Sequence, residues 1–299
     1  MKKNISIIGV PMHLGQPRPG TDLGPDAIRH AGVVEKLKRL QHDVEDLGDI
    51  KVGSAGGEEQ REDNLLNLQS IIDASTILAE KADDVVADKR FPLLFGGDHS
   101  MAIGSLAGIS KHYENLGVIW YDAHGDLNDS ATSPSGNIHG MPLAASLGIG
   151  HDKLTSVHGA EPKVKPENLV IIGARDLDPG EKELIKERGI KVYSMREVDE
   201  LGMEAVIQET IAYLKERTDG IHLSLDLDGL DPSETPGVGT PVVGGPSYRE
   251  TRIAMELLHD ADVLTSAEFV EVNPLLDDKN KTGIVAANLI SALFGETLK

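Results

Sequence analysis

Gly117-Val118-Ile119-Trp120-Tyr121-Asp122-Ala123-His124-Gly125-Asp126 joins a short apolar run to an acid, an imidazole and a second acid at alternate positions. The run is too short for a helix and does not alternate with polar residues, so it predicts a strand covered on both faces, as in parallel sheets. Further short candidate strands recur at Ile5–Gly9, His42–Asp46, Phe91–Phe95, Asn168–Gly173, Ile190–Tyr193, Ile221–Asp226 and Val263–Phe269. Stretches of helical period separate most of them: Ala27–Leu40, Asn64–Ala87, Ser100–Tyr113, Pro179–Arg188, Met203–Glu216, Ser247–Leu258 and Lys281–Phe294. Pro25 suits the first turn of the first of these. This alternation predicts an α/β fold, a parallel sheet with helices on both faces. Eight strands can close into a barrel or stay open and doubly wound; either way ligands collect beyond the carboxyl ends of the strands. No low-complexity linker or fixed-period repeat interrupts the pattern, so residues 1–299 are read as one domain.

Composition narrows the chemistry. With 39% hydrophobic and 26% charged residues, the chain has material for a large core and no mark of disorder. It contains no cysteine, which removes disulfides, thiolate metal sites and cysteine nucleophiles, so any metal must be held by nitrogen and oxygen. A formal net charge of −20 argues against nucleic acid as a partner. The apolar run after Lys2 and Lys3 ends at Pro11, too short for a signal-peptide core, and no apolar run approaches the roughly 20 residues that span a bilayer. The expectation is a cytoplasmic protein that does not engage membranes.

The strand ends carry the chemistry. If the backbone after Tyr121 stays extended, Asp122, His124 and Asp126 point to one side and can converge on a metal. A polar loop capping the next helix would explain the aspartates but not the histidine. The run Ile221–Leu225 also ends in alternating acids, Asp226 and Asp228, and Phe91–Phe95 leads through two glycines to His99. Four carboxylates in one crevice repel one another unless cations lie between them, and four acids with two histidines suit two divalent ions. Hard oxygen with some imidazole and no sulfur favours Mn²⁺, and such a pair can activate water for hydrolysis. Around this centre stand Asn128, the segment Ser133 to Pro142 with Ser135, Asn137 and His139, then Asp178 and Glu181 beside Pro179, and Glu268 and Glu271 at the last strand. For these the competing readings are a serine- and glycine-rich turn and a helix cap. No phosphate loop, dinucleotide fingerprint or Gly-x-Ser-x-Gly elbow is present.

The ordered motifs Gly-Gly-Asp-His-Ser at 96–100, Asp-Ala-His-Gly-Asp at 122–126 and Ser-Leu-Asp-Leu-Asp-Gly-Leu-Asp-Pro at 224–232 resemble those of the ureohydrolase superfamily. Within it, Ser-Gly-Asn-Ile-His-Gly-Met-Pro at 135–142 and Glu-Val-Asn-Pro at 271–274 are similar to the arginase family, from the first strand to the last helix. The resemblance implies an open three-layer αβα fold with an eight-stranded parallel sheet, two Mn²⁺ per subunit, and hydrolysis of L-arginine to L-ornithine and urea. It implies a homo-oligomer too, a trimer or hexamer. One manganese would take His99, Asp122, Asp126 and Asp226, the other Asp122, His124, Asp226 and Asp228, with a bridging hydroxide attacking the guanidinium carbon. Asp126 would orient that hydroxide, His139 would shuttle a proton, and Glu271 would pair with the guanidinium. Asn128, Ser133, Ser135 and Asn137 would meet the α-carboxylate end, Asp178 the α-ammonium with Glu181 in support, and Thr240 the urea product. Ser133 replaces a threonine found in some members but keeps the hydroxyl. The rivals are an agmatinase or another guanidino hydrolase, which has less need of the Ser135-Gly136-Asn137 cluster, and a non-catalytic metal-binding protein, which has no need of His139 and Glu271.

Overall fold

The computed structural model describes residues 2–53, 61–159 and 162–297. All eight expected strands form, as β1 (Asn4–Val10), β2 (Asp43–Asp49), β5 (Phe91–Gly96), β6 (Leu116–Tyr121), β7 (Leu169–Ala174), β8 (Lys191–Ser194), β9 (Gly220–Asp226) and β10 (Leu264–Val270). β3 (Arg61–Glu62) and β4 (Leu65–Leu66) make a separate antiparallel pair that the sequence pattern does not signal. The eight pair in parallel in the order β2-β1-β5-β10-β9-β6-β7-β8, an open sheet and not a barrel.

Both faces are covered, which is why β5 and β6 read as continuous apolar runs. Ile119 and Tyr121 of β6 turn into one core together with Leu93 and Phe95 of β5, packed against the helices Val33–Arg39, Met203–Lys215, Tyr248–Ala261 and Lys281–Leu293. Val118 and Trp120 turn the other way, into a second core under the helices Leu68–Ala87 and Ala102–Ile109. No helix among the described residues is long and apolar enough to cross a membrane.

Several helix boundaries differ from the periodic reading, each with a local cause. The expected helix over 27–40 is two, Gly24–His30 and Val33–Arg39, broken where Gly32 takes φ 80°. The long helix starts at Leu68 and not Asn64, because Asn64 and Asn67 are left-handed at φ 68° and 56° and the chain between serves β4. Only Ala102–Ile109 of the expected 100–113 segment is α-helical, with a 3₁₀ turn at each end. Short helices at Pro142–Ser146, Asp152–Thr155 and Met195–Leu201 lie outside the periodic stretches.

The strand order decides where the functional residues meet. β5, β10, β9 and β6 are adjacent, and their carboxyl ends lead directly to His99, Glu271, Asp226 and Asp122. Four segments far apart in sequence are thereby stacked side by side, about 5 Å apart per strand.

Candidate active site

At two strand ends the chain repeats one construction. Asp122 Oδ1 accepts a hydrogen bond from the His124 backbone N–H at 2.7 Å, and Asp226 Oδ1 accepts one from the Asp228 N–H at 2.7 Å. These side-chain turns bend the backbone as soon as each strand ends. The convergence expected from an extended chain is therefore achieved differently. Residues 122–124 form a bend, Asp126 is left-handed at φ 51°, and Leu227–Gly229 is a 3₁₀ turn.

The result is two imidazole–carboxylate groups sharing one acid. His99 Nδ1 lies 3.1 Å from an oxygen of each of Asp122, Asp126 and Asp226. His124 Nδ1 lies 3.4 Å from the other oxygen of Asp122 and 3.3 Å from Asp228. His99, Asp122, Asp126, Asp226 and Asp228 are all buried. Among the buried atoms, His99 Nδ1, Asp122 Oδ2 and Asp228 Oδ1 have no hydrogen-bond partner. Unpartnered buried nitrogen and carboxylate oxygen, distributed over two groups of acids and imidazoles that could each hold an ion, fit divalent cations as the missing partners.

Electrostatics gives the same answer. Burial, reinforced by the charges of Asp228 and Asp122, pushes the Asp226 carboxyl well above its usual range. Burial and Asp122 lift Asp126 to about 6. Burial opposes a charge on His99, but the carboxylates of Asp122, Asp126 and Asp226 gathered around Nδ1 outweigh it and push the imidazole well above its usual range. Carboxylates buried this close repel one another, and cations between them would relieve that repulsion.

Above the cluster is a cavity of about 140 Å³ lined by His124, Asp126, Asn128, Ser133, Ser135, Asn137, His139, Asp178, Glu181, Asp226, Asp228 and Thr240, with Pro134, Gly140 and Asp176. Every residue expected at the amino-acid end of the substrate is on this wall. Ser133 Oγ accepts from Gly136 N–H at 3.0 Å and Ser135 Oγ from Asn137 N–H at 3.2 Å, so both hydroxyls shape the turn and keep a proton to donate. Asn128 Nδ2 donates to Asp178 at 2.8 Å, while its Oδ1 is buried without a partner. Glu181 accepts from the Leu127 and Asp178 N–H groups, at 3.0 and 2.8 Å, so it supports the wall as well as starting the helix Pro179–Arg188. Thr240 donates to Asp228 at 2.8 Å and so steadies that carboxylate.

Glu271 lies behind the wall. Its backbone is left-handed at φ 65°, a strain a glutamate rarely accepts, and its N–H donates to Gly97 O at 2.8 Å. Oε1 accepts from the His99 N–H at 2.9 Å and lies 3.3 Å from His139 Nδ1; Oε2 accepts from Gln16 Nε2 at 2.6 Å. Burial resists a charge on His139, but Glu271 overrides it and lifts the imidazole to about 9. Gly97 is needed here, since any Cβ would collide with the backbone of Met12. Gln16 escapes a reading of the sequence: it follows β1, and nothing local marks it as the partner of a residue near the other terminus.

An open parallel sheet with two acid–imidazole groups sharing an aspartate, under a polar cavity, defines a hydrolase of the metal-dependent ureohydrolase type. The chain belongs to the arginase family, whose family model matches residues 3–295. It is 60% identical to the arginase of Bacillus subtilis (strain 168) over the whole of both chains. It superposes on the crystal structure of Bacillus caldovelox arginase with a TM-score of 0.98 at 64% identity, covering 99% of this chain and 100% of that one. The arginase of Entamoeba histolytica, solved in complex with L-ornithine, is 32% identical with a TM-score of 0.91, covering 99% and 100%.

Proposed function

We propose that the protein hydrolyses L-arginine to L-ornithine and urea at two Mn²⁺ ions held by His99, Asp122, Asp126, His124, Asp226 and Asp228. The observation that carries this reading is the pair of ligand groups sharing Asp122 beneath a cavity whose wall bears Asn128, Ser133, Ser135, Asn137 and Asp178. When bound, the divalent ions supply the Lewis acidity that makes water nucleophilic at neutral pH.

The chain's own residues do the rest. Ser133, Ser135 and Asn137 donate hydrogen bonds to the substrate α-carboxylate, and Asp178 accepts from the α-ammonium, so the guanidinium is directed toward the cluster. The water oxygen bonds to the guanidinium carbon and the bond from that carbon to the ornithine nitrogen breaks. Asp126 accepts the proton that water gives up, and His139, kept charged by Glu271, donates one to the departing amine. The relative solved with L-ornithine supports the product assignment.

The test is urea release by Mn²⁺-loaded protein from L-arginine and from agmatine, repeated after chelation. Agmatine lacks the α-carboxylate, leaving the hydroxyl and amide donors unpaired, so its kcat/KM is expected to be lower by about 10²-fold or more. Chelation should abolish urea release and Mn²⁺ restore it. A preference for agmatine, or urea release indifferent to chelation, overturns the reading. A cytoplasmic homo-oligomer, trimer or hexamer, belongs to the same proposal. Self-association is supported by the exposed Leu23, Leu275 and Leu276, the first of which borders an open groove with Pro274. Sedimentation velocity counts the subunits, and a monomer at micromolar concentration would refute that part.

A further inference from the structure

The segment that leaves β1 grips both members of the His139–Glu271 pair, and none of the roles above uses it. Gly15 O accepts from the His139 backbone N–H at 3.2 Å, and the next residue, Gln16, donates from Nε2 to Glu271 Oε2 at 2.6 Å. Two neighbouring residues thus hold the backbone of one partner and the side chain of the other. The second carboxylate oxygen, Oε1, faces His139 Nδ1 at 3.3 Å.

The gripping residues are themselves fixed. The Gly15 N–H donates to Asp98 Oδ2 at 2.8 Å, and Leu14 O accepts from Asn67 Nδ2 at 3.0 Å. A side chain at position 15 has no room, since its Cβ would lie 2.6 Å from Asp98 Oδ1 and 2.8 Å from Ser100 Oγ. Gln16 is buried, and Gly239 lies so close to its amide that a Cβ there would fall 2.6 Å from Gln16 Oε1. Arg18 donates to Gly239 O, which ties that loop to the same segment.

The amide has a definite effect on Glu271. A buried carboxylate oxygen without a donor is costly, so without Gln16 the carboxylate turns toward whatever donors remain and Oε1 leaves its place opposite His139. With Nδ1 engaged by Glu271, Nε2 is the imidazole nitrogen that serves the cavity His139 lines. A proton passed from Nε2 to the ornithine nitrogen lets that nitrogen take the electron pair of the breaking carbon–nitrogen bond and leave as a neutral amine.

We propose that Gln16 is a positioning residue: through Glu271 it holds His139 where a proton reaches the departing amine. This deepens the reading of the site as an L-arginine hydrolase, and rests on that reading and on His139 as the proton donor. Gln16 is not among the residues that line the cavity, so its effect falls on the bond-breaking step and not on substrate binding.

The test compares two substrates that differ in the amine they release. In L-canavanine an oxygen replaces the CH₂ next to the guanidinium, so the corresponding bond frees an oxyamine, far less basic than the ornithine amine and less dependent on a proton donor. Urea release from both is measured at saturating Mn²⁺ for wild type, Gln16→Met, Arg18→Met and His139→Asn. Methionine matches glutamine in length and lacks the donor. Gln16→Met is expected to lower kcat for L-arginine by about 10- to 100-fold, the scale of a hydrogen bond to a charged group. Its KM should stay within about threefold, the scatter of ordinary substitutions. The loss on L-canavanine should be at least about fivefold smaller, and His139→Asn should show the same bias between substrates. Arg18→Met, which loosens the segment without touching Glu271, should stay within about threefold on both substrates. Should Gln16→Met not fold, Gln16→Asn, which withdraws the amide by a methylene, carries the same comparison. An unchanged kcat, equal losses on the two substrates, or a matching loss in Arg18→Met overturns the inference alone. If His139→Asn shows no bias between substrates, the donor reading of His139 falls and this inference with it; a wild type that releases no urea from L-arginine removes the proposed function itself.

Discussion

Asp122→Asn is expected to lower urea release at least about 10³-fold, corresponding to about 4 kcal/mol, the scale of removing one partner from a buried charged pair. The reason is geometric. One Asp122 oxygen faces His99 and the other faces His124, so this side chain belongs to both candidate ligand groups. Asparagine keeps the shape but offers one oxygen and one N–H₂ group, so whichever way it turns, one group meets a donor where it needs an acceptor. It also removes a negative charge from both. His124→Ala touches one group only and should retain more of the metal response.

The same change has a stability readout. A ligand that binds only the folded state at about a thousandfold excess over its Kd stabilises it by about 4 kcal/mol per site. For a chain of this size that is a rise in Tm on the order of 10 °C. Wild type should show such a rise when Mn²⁺ is added to the metal-free protein, and Asp122→Asn should lose most of it. Thermal melts with and without Mn²⁺, alongside the urea assay, check both parts. A variant that keeps a tenth of the activity, or the full rise in Tm, shows that Asp122 is not the shared ligand.

Much of this site is legible in the sequence. β5 and β6 are buried on both faces and appear as unbroken apolar runs, so the polar residues that follow them stand out by contrast, whereas β9 and β10 carry buried polar residues within the strand. The acid–imidazole–acid spacing at 122–126 marks residues that do come together, but a side-chain turn and the left-handed Asp126, not an extended strand, gather them. Asp178 and Glu181 pose a choice between capping and binding, and they line the cavity as well as starting the helix.

What is not legible depends on contacts between distant segments. The strand order, which puts His99 beside Glu271, leaves no local trace in composition. Gln16 bonds to Glu271 across 255 residues, and Thr240, which the resemblance places near the product, bonds to Asp228, a contact that nothing in its glycine-rich loop announces. Glu268 is visible at the end of the last strand, but its hydrogen bond depends on the register that places it against Ser224. The helix break at Gly32 is hidden because the apolar spacing continues through it, while the backbone does not.

Glu271→Gln is expected to reduce kcat/KM for L-arginine by about 10³-fold, and the pH profile should show why. Glu271 is almost fully buried, held on one side by Gln16 and the His99 N–H, with His139 facing it from the cavity wall. A carboxylate so enclosed is retained for its charge, and removing one member of a buried charged pair costs about 3–5 kcal/mol, or roughly 10²- to 10³·⁵-fold. The charge acts on His139, which it lifts to about 9, and on any cationic group that comes beside it. The sign is fixed by the role proposed for His139. As a proton donor it must be protonated, so the rate it limits is sustained below its pKa and falls as the pH rises through it. Glutamine cannot hold an imidazolium in place, so the His139 pKa returns toward the ordinary value of about 6.5 and the falling limb moves to lower pH. Rates of urea release from pH 6 to 10, with Mn²⁺ saturating in both proteins, measure the shift. A loss of activity with the limb unmoved would mean that Glu271 serves the guanidinium alone; no loss would remove it from the mechanism.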